Sequence, residues 1–458
     1  MITYTGYDSV IKTVYDKENE HVFAYWDTLS DAEKKLLLND LSSVDFELIE
    51  KLYALSKEAV EIAGFVPAPF ISIPKTSEEL AAKEKTSAIG IDCIKKGKVA
   101  AFVVAGGQGS RLGFDGPKGL FQVGPVSGKS LFQIHGEKIL KYSLKYGTVI
   151  PWLVMTSQLN HDETVAYFEK MNYFGLDKAN IYIFPQSMIP SLDTNGKLIL
   201  ENSYTLFKNP DGHGGSLTAL AASGVLAKMK ERGISIISYF QVDNPLIKII
   251  DPFFIGNHVL NNADVSSKSI RKAYADEKVG VFVKYQNDTI GVVEYSDMSK
   301  EDINLQDASG ELLYGSGSIA VHAFSVDFVD SITSGRGVSL PFHTARKKLK
   351  VKTGNTEKEI DGLKFEKFVF DALLLTNKNI IMDTVREEEF APVKNATGLD
   401  SLETSQTLMS NLYKVWLTER GVSIPHSVKV VEISPLTAVS FDDLPADLKV
   451  PDTEKVLL

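Results

Sequence analysis

Two cations on one glycine-rich turn carry the strongest chemical signal in the chain. The turn Ala105-Gly106-Gly107-Gln108-Gly109-Ser110-Arg111-Leu112-Gly113 follows an apolar run, and Pro117-Lys118-Gly119 comes next. Three glycines in four residues let backbone N–H groups approach a polyanion without interference from Cβ atoms. Arg111 adds a planar cationic fork that suits phosphate, and Lys118 adds a second cation. A triphosphate needs such a set, because its charge must be offset as it reacts. Two familiar phosphate motifs fail on spacing. Gly107, Gly109 and Gly113 are one residue too widely spread for the dinucleotide fingerprint. Gly124-Pro-Val-Ser-Gly-Lys-Ser is one residue too tight for a Walker loop. Without its cations the turn would pass for an ordinary strand–loop connection.

The elements around the turn alternate. KVAAFVVA reads as a strand and residues 127–146 as a helix. Then come PWLVMTS (strand), HDETVAYFEKM (helix), IYIFPQ (strand), GGSLTALAASGVLAKMKERG (helix) and ISIISYFQVD (strand). This alternation predicts an α/β fold with a doubly wound, mostly parallel sheet, whose ligands bind beyond the carboxyl ends of the strands. After residue 264 the texture becomes strand-rich. VGVFVKY and TIGVVEYS are joined by the polar turn Gln286-Asn287-Asp288, which predicts an antiparallel extension. Residues 1–97 read as a helical N-terminal region, with capping boxes at Ser30–Glu33 and Thr76–Glu79 and an extended, proline-rich connector between them. Residues 98–391 form the expected catalytic domain and 392–458 a small C-terminal domain.

Composition narrows the function. The chain has 458 residues, and 49 Lys+Arg against 59 Asp+Glu give a net charge of −10. This acidic balance argues against a nucleic-acid-binding protein. It leaves room for an anionic substrate, because a small basic site can sit on an acidic molecule. The one cysteine, Cys93, excludes an intrachain disulfide and a thiolate zinc cluster. No run reaches membrane-span length, and the first residues are polar, so a cytoplasmic protein without membrane partners is expected.

The blocks GGQGSRLG, PKG, GKSLFQ, FPQSMIP, PDGHGG, FQVDNPL, VGVF, VVEYS, LPFHTARKK, LKFEKFVFDAL and APVKNA follow one another in order. Together they resemble the signature of the eukaryotic-type UDP-sugar pyrophosphorylases, nearest in pattern to the UDP-N-acetylglucosamine (UDP-N-acetylhexosamine) branch. The resemblance implies a Rossmann-like nucleotide-diphospho-sugar transferase fold. It also implies a uridylyltransferase that makes a UDP-sugar and pyrophosphate from UTP and a sugar 1-phosphate. The nucleophile is then a phosphate oxygen that is already anionic, so the work left to the protein is in-line placement and charge neutralisation. The lack of a Ser–His–Asp, HExxH or CxxC arrangement is expected for such chemistry.

Residue by residue, the resemblance implies that Gly106 and Gly107 lie under the nucleotide. Arg111, Lys118 and Lys394 would act on the phosphates. Gln186 would read uracil, Gly212 would touch the base through its backbone, and Asp243 would bind nucleotide and metal (Mg²⁺ or Mn²⁺), with Asn244 in support. Gly280 and Glu294 would meet the hexose, and Phe368 and Phe370 its acetamido methyl. His343 and Lys347 are further candidates, although a solvated basic helix face explains ARKK as well. Two positions depart from the branch pattern: His213 stands where asparagine is usual, and Ser318 stands where another asparagine would touch the sugar. Both fall on the sugar side. N-acetylglucosamine 1-phosphate is the expected substrate. Glucose 1-phosphate or several hexose 1-phosphates are the alternative, and a silent nucleotide-sugar-binding regulator is a third reading.

Overall fold

The apolar run ahead of the glycine turn forms the strand Val99–Val104, buried at every position. A strand covered on both faces reads as an unbroken apolar run, because neither face meets water. Trp152–Thr156 pairs with it in parallel on one side and Ile236–Gln241 on the other. Ile181–Pro185 extends the sheet past Trp152–Thr156. All four parallel strands are those the sequence predicts, and their carboxyl ends lie side by side.

The structure, a computed structural model, describes residues 1–58, 64–335, 339–353 and 356–458. The antiparallel extension is present. Ser316–Ser325 pairs with Ile236–Gln241 and with Val265–Arg271, and Val281–Tyr285 and Ile290–Val293 form the expected hairpin. Asn379–Asp383 runs parallel to Val265–Arg271. Both capping boxes form, at Ser30–Glu33 and Thr76–Glu79. Among the described residues no helix is long and apolar enough to cross a membrane.

The chain divides into two compact units that cut across the sequence-based segments. The first joins Met1–Ile62, Ser187–Gly215 and Leu340–Val369. The second comprises Ala63–Gln186, Ser216–Ser339 and Phe370–Leu458. In the first unit the N-terminal helices bury Leu37, Leu38, Leu41 and Leu52 against Leu192, Leu206, Leu363 and Phe365. In the second unit Met409, Leu412, Tyr413 and Trp416 share one core with the central strands. The segment after Pro392, read from sequence as a small C-terminal domain, is therefore part of the sheet's own packing. Short, proline-rich phrasing reveals loops but not which core their neighbours join.

Two local readings change. The single helix expected from Gly214 onward is two, Gly215–Ala222 and Val225–Glu231, broken at Gly224 with φ +75°. The Lys-rich ARKK stretch is a strand: His343–Thr353 pairs antiparallel with Thr356–Glu366. Its register sets Lys348 opposite Asp361, Lys350 opposite Glu359 and Lys352 opposite Glu357. Opposite charges directly across a ladder stabilise each pairing and oppose slippage.

Candidate active site

Four polar features stand just beyond the four parallel strand ends of the second unit: the glycine turn, Ser157, Gln186 and Asp243. In an open α/β sheet this edge is where ligands bind. Gln186 is 5% exposed, and its backbone N–H donates to Thr156 O at 2.8 Å. A Cβ on Gly106 would come within 3.3 Å of Gln186 Oε1 and 3.4 Å of Ser157 N. The bare Gly106 backbone thus lies against the glutamine amide, as expected if both serve one nucleotide. Gly107 has open space where a Cβ would be.

The turn is held by a residue that sequence reading missed. Asn160 is fully buried. Its Oδ1 accepts from Ser157 N at 2.8 Å, and its Nδ2 donates to Ala105 O at 3.1 Å and to Gly107 O at 3.3 Å. At the start of a helix an asparagine reads as a cap, yet this side chain caps nothing on the helix His161–Lys170. Only the strand order brings Ala105 within its reach. Lys118 N donates to Gly107 O at 3.0 Å, so the second cation is tied to the same turn. Arg111 is exposed on the short 3-10 turn Ser110–Leu112.

Asp243 lies two residues past Ile236–Gln241 and accepts from Lys118 Nζ at 3.0 Å. Burial pushes its carboxyl up, but the ammoniums of Lys118 and Lys394 outweigh that and hold it below the usual carboxylate range. Lys118, Asp243 and Lys394 therefore form one electrostatic cluster. Lys394 also lies 3.7 Å from Asp400 and 5.4 Å from the Phe390 ring centre.

The Asp243 loop is anchored from the helix Leu131–Tyr146. His135 Nε2 lies 2.9 Å from Val242 O, and Lys138 Nζ donates to Pro245 O at 2.5 Å and Ile247 O at 2.8 Å. Burial, with Lys248 adding to it against Glu389, lowers Lys138 to about 7. An unfolded lysine titrates near 10.5. Between these values the unfolded chain holds a proton that the folded chain has lost, so this residue's contribution to stability rises with pH. Below about 7 both states are protonated, and the cost of burying the ammonium is present in full. The stability difference between the parent and Lys138→Met is expected to grow in the parent's favour from pH 7 to 9, by up to about 1.4 kcal/mol per pH unit. Urea unfolding at several pH values checks this; a constant difference would remove Lys138 as the titrating group.

Three of the residues expected to meet the sugar lie together. Ser318 N donates to Gly280 O at 2.8 Å, and a Cβ on Gly280 would come within 3.3 Å of Glu294 Oε1. Glu294, expected inside a strand, instead follows directly after Ile290–Val293. The strand carrying Ser318 shifts register between Ser318 and His322, and Ala320 has φ +54°. Bulges of this kind re-aim side chains beside sites, and a non-glycine residue in that conformation is held there by its surroundings. Phe370, buried in the 3-10 segment Val369–Leu375, belongs to this same unit.

Gly212, His213 and Phe368 belong to the first unit. Gly212 has φ +82°, and a Cβ there would sit 2.4 Å from Lys367 O, so only glycine fits. His213 stacks on Phe368 at 5.4 Å, and His343 stacks on Phe368 at 4.5 Å. Burial lowers the His213 imidazole to about 4, Glu366 opposing and His343 adding to the effect. The ring is neutral at pH 7, consistent with Nδ1 accepting from Val369 N at 3.1 Å. Lys347 is exposed on the charged hairpin.

The rejected Walker-like stretch has its own partner. Val126 N, Ser127 N and Ser127 Oγ donate to the buried Glu432 carboxylate at 2.7, 2.7 and 2.6 Å. An internal carboxylate takes the donors that a phosphate would take in a true P-loop.

Residues 67–441 match the family described as UTP--glucose-1-phosphate uridylyltransferase. UDP-N-acetylglucosamine diphosphorylase 2 of Arabidopsis thaliana is 34% identical over 97% of this chain and 92% of its own length. The UDP-N-acetylglucosamine pyrophosphorylase of Saccharomyces cerevisiae is 33% identical over 92% of this chain and 93% of its own. Among solved structures, the uridine diphosphate N-acetylglucosamine pyrophosphorylase of Trypanosoma brucei superposes with a TM-score of 0.83 at 28% identity, covering 97% of this chain and 95% of that one. Strand-end geometry and near full-length similarity agree, and the chain belongs to the UTP–glucose-1-phosphate uridylyltransferase family.

Proposed function

We propose that the chain transfers the uridylyl group of UTP to N-acetylglucosamine 1-phosphate, releasing pyrophosphate. The observation that carries this reading is the Lys118–Asp243–Lys394 cluster beside the glycine turn, a charge arrangement suited to a triphosphate. The relatives' names point to the same sugar. A phosphate oxygen of the sugar 1-phosphate attacks the α-phosphorus of UTP. The bond from that phosphorus to the α,β-bridging oxygen breaks, and pyrophosphate leaves with the electron pair. No proton has to be removed from the nucleophile, so no enzymic base is required. Arg111, Lys118 and Lys394 offset the charge that gathers on the phosphates, and the Gly106–Gly107 backbone lets the nucleotide lie close.

Asp243 is the strand-end carboxylate that would hold Mg²⁺ or Mn²⁺. Among the described residues no group of three or more His, Cys, Asp or Glu is placed to hold a metal. A single carboxylate next to phosphate oxygens still fits magnesium, which commonly keeps several waters and one or two protein ligands. When bound, the ion neutralises phosphate charge.

Gln186 reads the base in this proposal, since one amide can both donate and accept along a pyrimidine edge. Gln186→Ala is expected to reduce discrimination between UTP and CTP by about tenfold or more, measured as the ratio of kcat/KM values. An unchanged ratio would assign base reading elsewhere.

The sugar is tested by pyrophosphate release with UTP and a panel of sugar 1-phosphates. N-acetylglucosamine 1-phosphate is expected to react best, with glucose 1-phosphate within about 100-fold because His213 and Ser318 depart from the branch pattern. His213→Asn is expected to move the ratio toward the acetylated sugar. A strict preference unmoved by that substitution would remove His213 from sugar choice. If no sugar phosphate supports release, the transferase reading falls.

A further inference from the structure

Lys394 reaches the strand-end cluster on a buried strap, residues 389–394, and one side chain ties that strap to the Asp243 loop. Asn244, only 6% exposed, donates from Nδ2 to Glu389 O at 2.6 Å. Its Oδ1 accepts from Ala391 N at 3.1 Å and from Leu246 N at 3.3 Å. The backbone beside it adds a fourth bond, Val393 N to Asp243 O at 2.9 Å. The strap is also held from its other side, where Ser405 Oγ donates to Ala391 O at 2.7 Å. At its start the Glu389 carboxylate, 1% exposed, accepts from Lys268 Nζ at 2.6 Å and from Thr384 Oγ1 at 2.6 Å. Lys268 in turn reaches Asp251 at 2.7 Å.

An amide is the side-chain group that can donate to one strap carbonyl and accept from the next-but-one N–H in a single plane. Aspartate in that place would lack the donor, and alanine would leave both strap groups unpartnered where water has little access. Asn244, together with the Val393–Asp243 backbone bond, therefore fixes the strap's path beside Asp243 and so the approach of Lys394. We propose that Asn244 is a positioning residue that aims Lys394 at the phosphates. The proposal rests on the assignment of Lys394 to phosphate binding made above.

A double-mutant cycle tests it. Asn244→Ala, Lys394→Ala and the double variant are compared by kcat, KM for UTP and thermal midpoint. Asn244→Ala is expected to lower kcat about 10- to 100-fold, and Lys394→Ala about 100-fold. The double variant is expected to fall no more than about threefold below Lys394→Ala, because the strap then has no cation to aim. A purely structural role would give the full product of the two losses, and that result overturns the proposal. An unchanged kcat in Lys394→Ala alone would reject the phosphate assignment and the proposal with it, a result distinct from multiplicative losses. If Asn244→Ala does not fold, Ser405→Ala loosens the same strap by one hydroxyl. Its kcat loss is then expected in the parent background and absent with Lys394→Ala; an equal loss in both backgrounds overturns the proposal.

Discussion

Lys118→Ala is expected to lower kcat by about 10²-fold or more with the fold retained. The lysine's backbone holds Gly107 O, and that bond survives removal of the side chain. What is lost is an ammonium at the centre of the cluster, 3.0 Å from Asp243 and on the turn where the triphosphate is proposed to lie. Charge that gathers on the leaving pyrophosphate then goes unmatched, which a hundredfold loss puts at about 2.7 kcal/mol in the transition state. Some stability is expected to be lost as well, because the pair is largely buried and Asp243 is left to Lys394 for compensation. Single-turnover rates with saturating UTP separate the chemical step from binding. A parental rate in the variant would remove Lys118 from the reaction and weaken the whole loop assignment.

The strand-end parts of this candidate site share one property: each follows an apolar strand. KVAAFVVA, PWLVMTS, IYIFPQ and ISIISYFQVD are apolar enough to be strands on pattern alone, so the polar residues after them had to lie at one edge of a parallel sheet. Gly106, Gln186 and Asp243 were legible for that reason. Asn160 was not, and Asn244, legible as support for Asp243, was not legible as the tie to residues 389 and 391, because these partners lie far away in sequence or depend on strand order. An asparagine bonded to Ala105 O looks, in sequence, like any helix-start asparagine. The hairpin at 343–366 failed for a related reason. Its lysines suggest a solvated face of any kind, and only the register shows acidic residues opposite them. The first unit was hidden because its three stretches are separated by more than a hundred residues each, and no local pattern links Leu38 with Phe365. Glu432 was equally silent: a glutamate in a short strand becomes a loop anchor only once Ser127 is beside it.

Asp243→Asn is expected to lower kcat by about 10²- to 10³-fold while tightening UTP in the absence of divalent cation. Asparagine has nearly the same volume, and the strap bond from Val393 N goes to the Asp243 backbone, so the local frame is retained. The change is one of charge. Asp243 stays ionised because Lys118 and Lys394 hold its carboxyl low, and an ionised carboxylate repels a triphosphate unless a cation lies between them. Removing that charge also frees Lys118 from its 3.0 Å partner. Both effects favour metal-free UTP, by about threefold or more if the charges are partly screened by solvent. The same substitution weakens the hold on Mg²⁺, so added magnesium is expected to restore turnover only at much higher concentration than in the parent. Calorimetry with UTP in chelator, alongside kcat against magnesium concentration, reads the two arms independently. Loss of turnover with unchanged metal-free UTP affinity would place Asp243 away from the triphosphate. Parental turnover with a parental magnesium response would show that the carboxylate serves only to hold Lys118.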